Sequence, residues 1–96
     1  MSIQEVNSLE EVRENIDRID KQIVSLLGER YYYVIQAAKF KTTTQDVKAP
    51  ARVEKVIAKV REHAKQADIE PDIVEKIYRT MIDCFINHEL KTYQNG

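Results

Sequence analysis

Apolar residues recur along the first half of the chain at Leu9, Val12, Ile16, Ile19, Ile23 and Leu26, then at Tyr33, Ala37 and Phe40. The steps alternate between three and four, which is the seam of a long helix packed along a partner helix. Ser8-Leu9-Glu10-Glu11 stands in front of that run as a capping-box pattern. Thr42-Thr43-Thr44, three β-branched residues, is expected to end it. Gly28 inside the run costs about 1 kcal/mol, too little to break so long a helix. The spacing therefore predicts a first helix from about residue 9 to residue 41, followed by a short polar linker over Thr42–Lys48. Pro50 suits the first turn of a second helix, 50–67, with Val53, Val56, Ile57, Val60, Ala64 and Ala67 as its buried stripe. Pro71 opens a third, 71–92, with Val74, Ile77, Met81, Ile82, Phe85 and Ile86 facing inward. The tail Gln94-Asn95-Gly96 is expected to fray. Strand-like alternation is absent, so the fold class is all-α.

Length turns this pattern into a statement about assembly. Ninety-six residues make one domain, 1–96. A helix of 33 residues would be roughly 50 Å long, whereas a compact chain of about 100 residues has a radius of gyration near 13 Å. The first helix overhangs anything its own chain can build, and its apolar seam needs a second copy. The expectation is an interlocked homodimer. Cys84 is the only cysteine, which excludes an intrachain disulfide, and no Cys/His spacing suggests a metal. Cys84 reads as a small core filler. Fifteen basic and 16 acidic residues nearly cancel, unlike the basic surplus of a nucleic-acid binder. No apolar run reaches the ~20 residues of a membrane span, and no signal-peptide pattern is present. A soluble cytoplasmic protein without nucleic-acid or membrane partners is expected.

Charged residues at greasy positions supply the candidate chemistry. Arg30 falls where the seam otherwise carries Leu, Ile or Val, and a buried arginine needs an acid or a ligand. Asp17 and Asp20 are candidate structural partners. Alternatively, Arg30, Val34, Ala37/Ala38 and Lys41 share one face of the first helix, so two cations bracket a floor of small apolar side chains. Such a space suits a small ring bearing two carboxylates, with arginine giving a two-pronged grip and lysine a compact charge. Arg52 opens the second helix beside Val53, either joining that floor or lying exposed. Arg13 precedes Arg30 by 17 residues, about 25 Å along one helix. One chain cannot bring both to one small molecule, but an antiparallel pair of chains can. Glu89 lies on the Ile82–Phe85 side of the third helix, as a pocket residue or a surface glutamate. His63 and His88 are isolated and read as surface residues. At most one of Tyr31, Tyr32 and Tyr33 could line a pocket.

Arg13-Glu14-Asn15-Ile16-Asp17-Arg18-Ile19-Asp20, Gly28-Glu29-Arg30, Phe40-Lys41 and Ala49-Pro50-Ala51-Arg52-Val53, with Glu89 on the third helix, resemble the all-helical (type II) chorismate mutase family over about residues 9–91. The resemblance implies an intertwined dimer with two sites, each taking the Arg13 side chain from the partner. It implies that Arg13 and Arg30 hold substrate carboxylates and that Lys41 approaches a carboxylate and the ether oxygen. Arg52 adds to the clamp, and Val34, Ala38, Val53 and Phe85 line the pocket. Lys41, Glu89 and Arg30 would be the catalytic set, working without cofactor or metal through a cyclic transition state. Two residues depart from the mutase pattern. Val53 stands where good mutases carry a glutamate for the ring C4 hydroxyl. That change, with the Ala-Pro-x-Arg-Val and Phe40-Lys41 stretches, resembles the isochorismate–pyruvate lyase branch, which makes salicylate and pyruvate and shows weak mutase activity. Glu89 replaces a glutamine that donates to the ether oxygen, and a glutamate donates only when protonated. The expected function is thus isochorismate–pyruvate lyase, with chorismate mutase as the alternative. A non-catalytic helical dimerisation module is the alternative of another class.

Overall fold

Ser8 starts the first helix as predicted. In the computed structural model, which describes residue 3 and residues 5–95 (side chains only to 92), the Ser8 hydroxyl accepts from the Glu11 N–H at 3.1 Å. The Glu11 carboxylate reaches back to the Asn7 N–H at 3.3 Å, one residue before the cap. Helix α1 then runs unbroken from Leu9 to Ala38, about 45 Å at 1.5 Å per residue. Its end is a correction to the sequence reading. The Lys39 N–H turns onto the Gln36 and Ala37 carbonyls, and the chain leaves the helix before Lys41. The three threonines do not end α1. Thr43 begins the next element.

That element is a second correction, because Thr42–Lys48 is not merely a polar linker. Thr44–Lys48 forms a short helix, α2, closed by a full capping box between Thr43 and Asp46. Val47 projects from it and is only 3% exposed. Ala49 follows with φ 38° and ψ 59°, the left-handed region that a residue with a Cβ rarely adopts. It closes α2 with its N–H on the Gln45 carbonyl at 2.8 Å, and its own carbonyl accepts from Val53 at 3.0 Å. One residue thereby ends α2 and begins α3, Pro50–Gln66, with proline at the first position where no N–H is needed.

Helix α3 ends in a Schellman motif. The Ile69 N–H reaches the Ala64 carbonyl at 3.0 Å and the Asp68 N–H the Lys65 carbonyl at 3.3 Å, with Asp68 left-handed at φ 58°. Pro71 then opens α4, which continues to Asn95. Gln94 and Asn95 thus extend the helix where fraying was expected, and Gly96 lies outside the described residues.

The chain divides into two compact units, residues 1–39 and 40–96. In the second, α3 packs along α4 and α2 packs on α4. Val47, Ile57, Val60, Ala64 and Ile82 form its buried core. The predicted stripe of α3 holds except at Ala67, which is exposed because it sits at the helix terminus. On α4, Ile82 is buried and Val74, Met81, Phe85 and Ile86 are half-buried, but Ile77 is 57% exposed. Cys84 is also exposed, so it fills no core of this chain. In the first unit no residue of α1 is buried, and seam residues Leu9 to Leu26 remain 37–62% exposed. The all-α class with three long helices stands, joined by the one-turn helix that the sequence reading missed.

An ion network ties α3 to α4. Arg61 bridges Asp72 at 2.9 Å and Glu75 at 2.8 Å. Arg79 holds Glu75 at 2.7 Å and grips Glu54 with two bonds of 2.9 Å. The hydrogen bonds from Arg79 are the main cause holding the Glu54 and Glu75 carboxyls below their ordinary 4.5. A carboxyl depressed on folding stabilises the protein above its unfolded value, and that contribution vanishes as pH falls through the folded value. The melting temperature is therefore expected to drop by a few degrees as pH falls from 6 to 3. An Arg79→Met variant should show a shallower drop. Because the network is exposed, high salt should flatten the curve as well.

Candidate functional site

The site residues predicted from sequence fall into both units. In the first, the half-buried positions of α1 are Arg30, Tyr31, Val34 and Ala38. Three of these, Arg30, Val34 and Ala38, are spaced by four and share one helix face. This is the floor expected from sequence, with Ala37 turned out to solvent. A purely structural pairing of Arg30 with Asp17 or Asp20 of its own chain meets a distance problem. The unbroken helix sets those residues about 20 and 15 Å away along its axis, beyond side-chain reach. Arg13 sits on the same helix, exposed, its side chain without an ion-pair partner among the described residues. The 16 residues between Arg13 and Arg30 are all helical, so their separation of about 25 Å, 17 helical steps, is fixed.

Lys41 is the largest relocation. The sequence reading placed it on the face of the first helix shared with Arg30, but it lies three residues past the end of α1, in the second unit. There its ammonium donates to both carboxylate oxygens of Glu89, at 3.0 and 3.4 Å. The two side chains are 24% and 13% exposed, so this is a partly desolvated pair rather than a surface contact. A site built around it starts from a charge-assisted bond whose partners would each be costly to leave alone. Glu89 here accepts, whereas the role expected of it from sequence is that of a donor.

Phe85 stands one turn before Glu89 on α4, half-buried on the same face. Arg52 occupies the first turn of α3, exposed and without an ion-pair partner among the described residues. Val53, next to it, is half-buried and donates its N–H to Ala49. The left-handed turn at Ala49 thus sets where both residues emerge. His63 and His88 are exposed, as expected. Among the described residues, no group of three or more His, Cys, Asp or Glu side chains is placed to hold a metal ion. No described helix is long and apolar enough to cross a membrane.

Sequence reading missed the collar just after Lys41. Asp46 accepts from the Thr42 N–H and hydroxyl, both at 3.1 Å, and from the Thr43 N–H at 3.3 Å. Thr42 is in turn the residue bonded to Lys41. The signal was legible in Thr43-Thr44-Gln45-Asp46, a threonine three residues before an acid. The expectation of a featureless linker hid it.

Comparison with known proteins agrees with the family resemblance read from the sequence. A family model, chorismate mutase type II, matches residues 12–90. Isochorismate pyruvate lyase of Pseudomonas aeruginosa is 31% identical over 91 residues, covering 95% of this chain and 90% of that protein. The matched span takes in α1 from Val12 onward and all but the end of α4. By its helices, its spaced cations and this match, the chain belongs to the chorismate mutase type II family.

Proposed function

We propose that this protein is a cofactor-free pericyclic enzyme of a homodimer, acting on isochorismate as an isochorismate–pyruvate lyase. The observation that carries the reading is Val53 beside Arg52 at the start of α3, in a chain similar to a protein named isochorismate pyruvate lyase. An apolar side chain there offers no acceptor to the C4 hydroxyl of chorismate. Mutase activity on chorismate is the second reading, favoured by the family match itself. The whole chain, residues 1–96, acts as one domain in this reading.

In the lyase reaction a ring hydrogen moves to the methylene carbon of the enolpyruvyl group as the C–O bond breaks. The ether oxygen leaves as the carbonyl of pyruvate, and the ring becomes aromatic salicylate. Nothing covalent is asked of the protein. It has to hold a compact conformer and stabilise charge gathering on the ether oxygen. Arg30 and Arg52, with Arg13 from the partner chain, hold the two carboxylates. Val34, Ala38, Val53 and Phe85 provide the apolar walls, and Lys41 and Glu89 address the ether oxygen. Support for a second copy comes from α1, whose seam stays exposed along its length in the single chain. Such a continuous apolar stripe is costly in water.

A non-catalytic module would tie its cations to acids or leave them in solvent. Lys41 is tied to an acid, but that acid is Glu89, the other residue assigned to the ether oxygen. The purified protein supplied separately with isochorismate and chorismate is expected to form salicylate and pyruvate much faster than prephenate. Prephenate as the main product would establish the mutase instead, and no product from either substrate would leave a dimerisation module. Val53→Glu is expected to shift the balance toward prephenate by about tenfold, the effect of one hydrogen bond to a charged acceptor. An unchanged product ratio would remove Val53 from the specificity argument.

A further inference from the structure

Lys41 has left α1, so something other than a helix must fix its backbone. The Asp46 carboxylate is placed to do so. Two of its three bonds go to Thr42, which precedes the N-cap of α2 and contributes nothing to that helix. The Thr42 N–H belongs to the peptide joining Lys41 to Thr42, so the 3.1 Å bond to Asp46 orients the very peptide plane from which the Lys41 side chain departs. Asp46 is itself anchored by the neighbouring Val47, which is buried in the core of its unit, while the bond from its N–H to the Thr43 hydroxyl at 3.0 Å caps α2. Lys41 is thus pinned at both ends, at its peptide by Asp46 and at its ammonium by Glu89.

We propose that Asp46 is a positioning residue for Lys41. It holds the lysine backbone so that the ammonium stays on the Glu89 side when a substrate takes over the contact. The proposal rests on the role given to Lys41 above. The Thr42 amide and then the Thr42 hydroxyl hold the Asp46 carboxyl below its ordinary 3.8, so the collar persists at neutral and mildly acidic pH.

The test separates the collar from the helix it adjoins. Asp46→Ala removes both, whereas Thr43→Ala removes the cap hydroxyl of α2 but leaves the Thr42 N–H and hydroxyl on Asp46. Asp46→Ala is expected to lose about tenfold or more in kcat, with KM changed by less than about threefold. Thr43→Ala should stay within about twofold of the parent in kcat despite a comparable loss of thermal stability. Asp46→Asn, whose carbonyl oxygen can take the same three bonds, should recover most of the kcat. If Asp46→Ala does not fold, Asp46→Glu serves. It keeps the charge and suits the third position of a helix, yet displaces the acceptor by one methylene and should still lose about fivefold in kcat. Parental kcat in whichever of the two folds, beside an inactive Lys41→Ala, overturns the proposal and leaves the role of Lys41 intact. An equal kcat loss in Thr43→Ala also overturns it, since the helix as a whole would then be responsible. Near-normal turnover of Lys41→Ala overturns the role of Lys41 and this inference together.

Discussion

Replacement of Lys41 by alanine is expected to lower kcat by a factor on the order of 10²–10³, the usual consequence of removing a donor aimed at developing negative charge. Helix content should not change, because Lys41 lies outside α1 and α2. The Lys41–Glu89 bond adds a second, more specific outcome. In the free protein the ammonium is shared with a carboxylate, so the ether oxygen must compete with Glu89 for it. Glu89→Gln removes that competing charge and puts a neutral amide donor in its place, so its turnover is expected to exceed the parent's by about threefold or more. Steady-state kinetics of the three proteins at neutral pH checks both statements. Turnover of Glu89→Gln identical to the parent's would remove Glu89 from the mechanism.

Mixing two inactive variants is expected to restore activity. The continuous α1 keeps Arg13 and Arg30 of one chain about 25 Å apart, so a site needing both takes one from each chain. Arg13→Ala and Lys41→Ala homodimers should each be inactive, for different reasons. In a mixed dimer, one site receives intact Lys41 from the first chain and intact Arg13 from the second, while the other site carries both lesions. Random reassortment at equal concentrations makes half the dimers mixed, with one good site in two. The mixture should recover about one quarter of the parent's activity. The measurement is turnover after co-refolding or prolonged exchange, against each variant alone. No recovery, with mixed dimers verified by mass, would mean that Arg13 and Lys41 do not serve one site across chains. Recovery would in addition establish that the exposed α1 seam is covered by a second copy.

Several of these residues were legible from the chain alone. The three-and-four spacing from Leu9 to Leu26 determined a long amphipathic helix, since only a 3.6-residue period places all those side chains on one stripe. Pro50 and Pro71 determined two helix starts, because a proline at the first position gives up an N–H that would have no partner there. Arg30, Val34 and Ala38 could be assigned to one face for the same periodic reason. These are local properties, written in short-range spacing.

The ends and junctions were not local. The seam pattern runs on through Ala37 to Phe40, yet α1 stops at Ala38, and the chain beyond it is claimed by other partners. Asp46 competes for the Thr42 amide and Val47 for the core. Their combined gain outweighs the two or three more helical hydrogen bonds that an exposed α1 terminus could offer. That competition moved Lys41 off the helix and onto Glu89, 48 residues away in sequence. Periodicity within one segment carries no information about a contact of that span. The sequence by itself thus determined the three long helices, the face carrying Arg30 and the family. Only the tertiary structure decided how Lys41 is held, because its two anchors come from a one-turn helix and from the last helix of the chain.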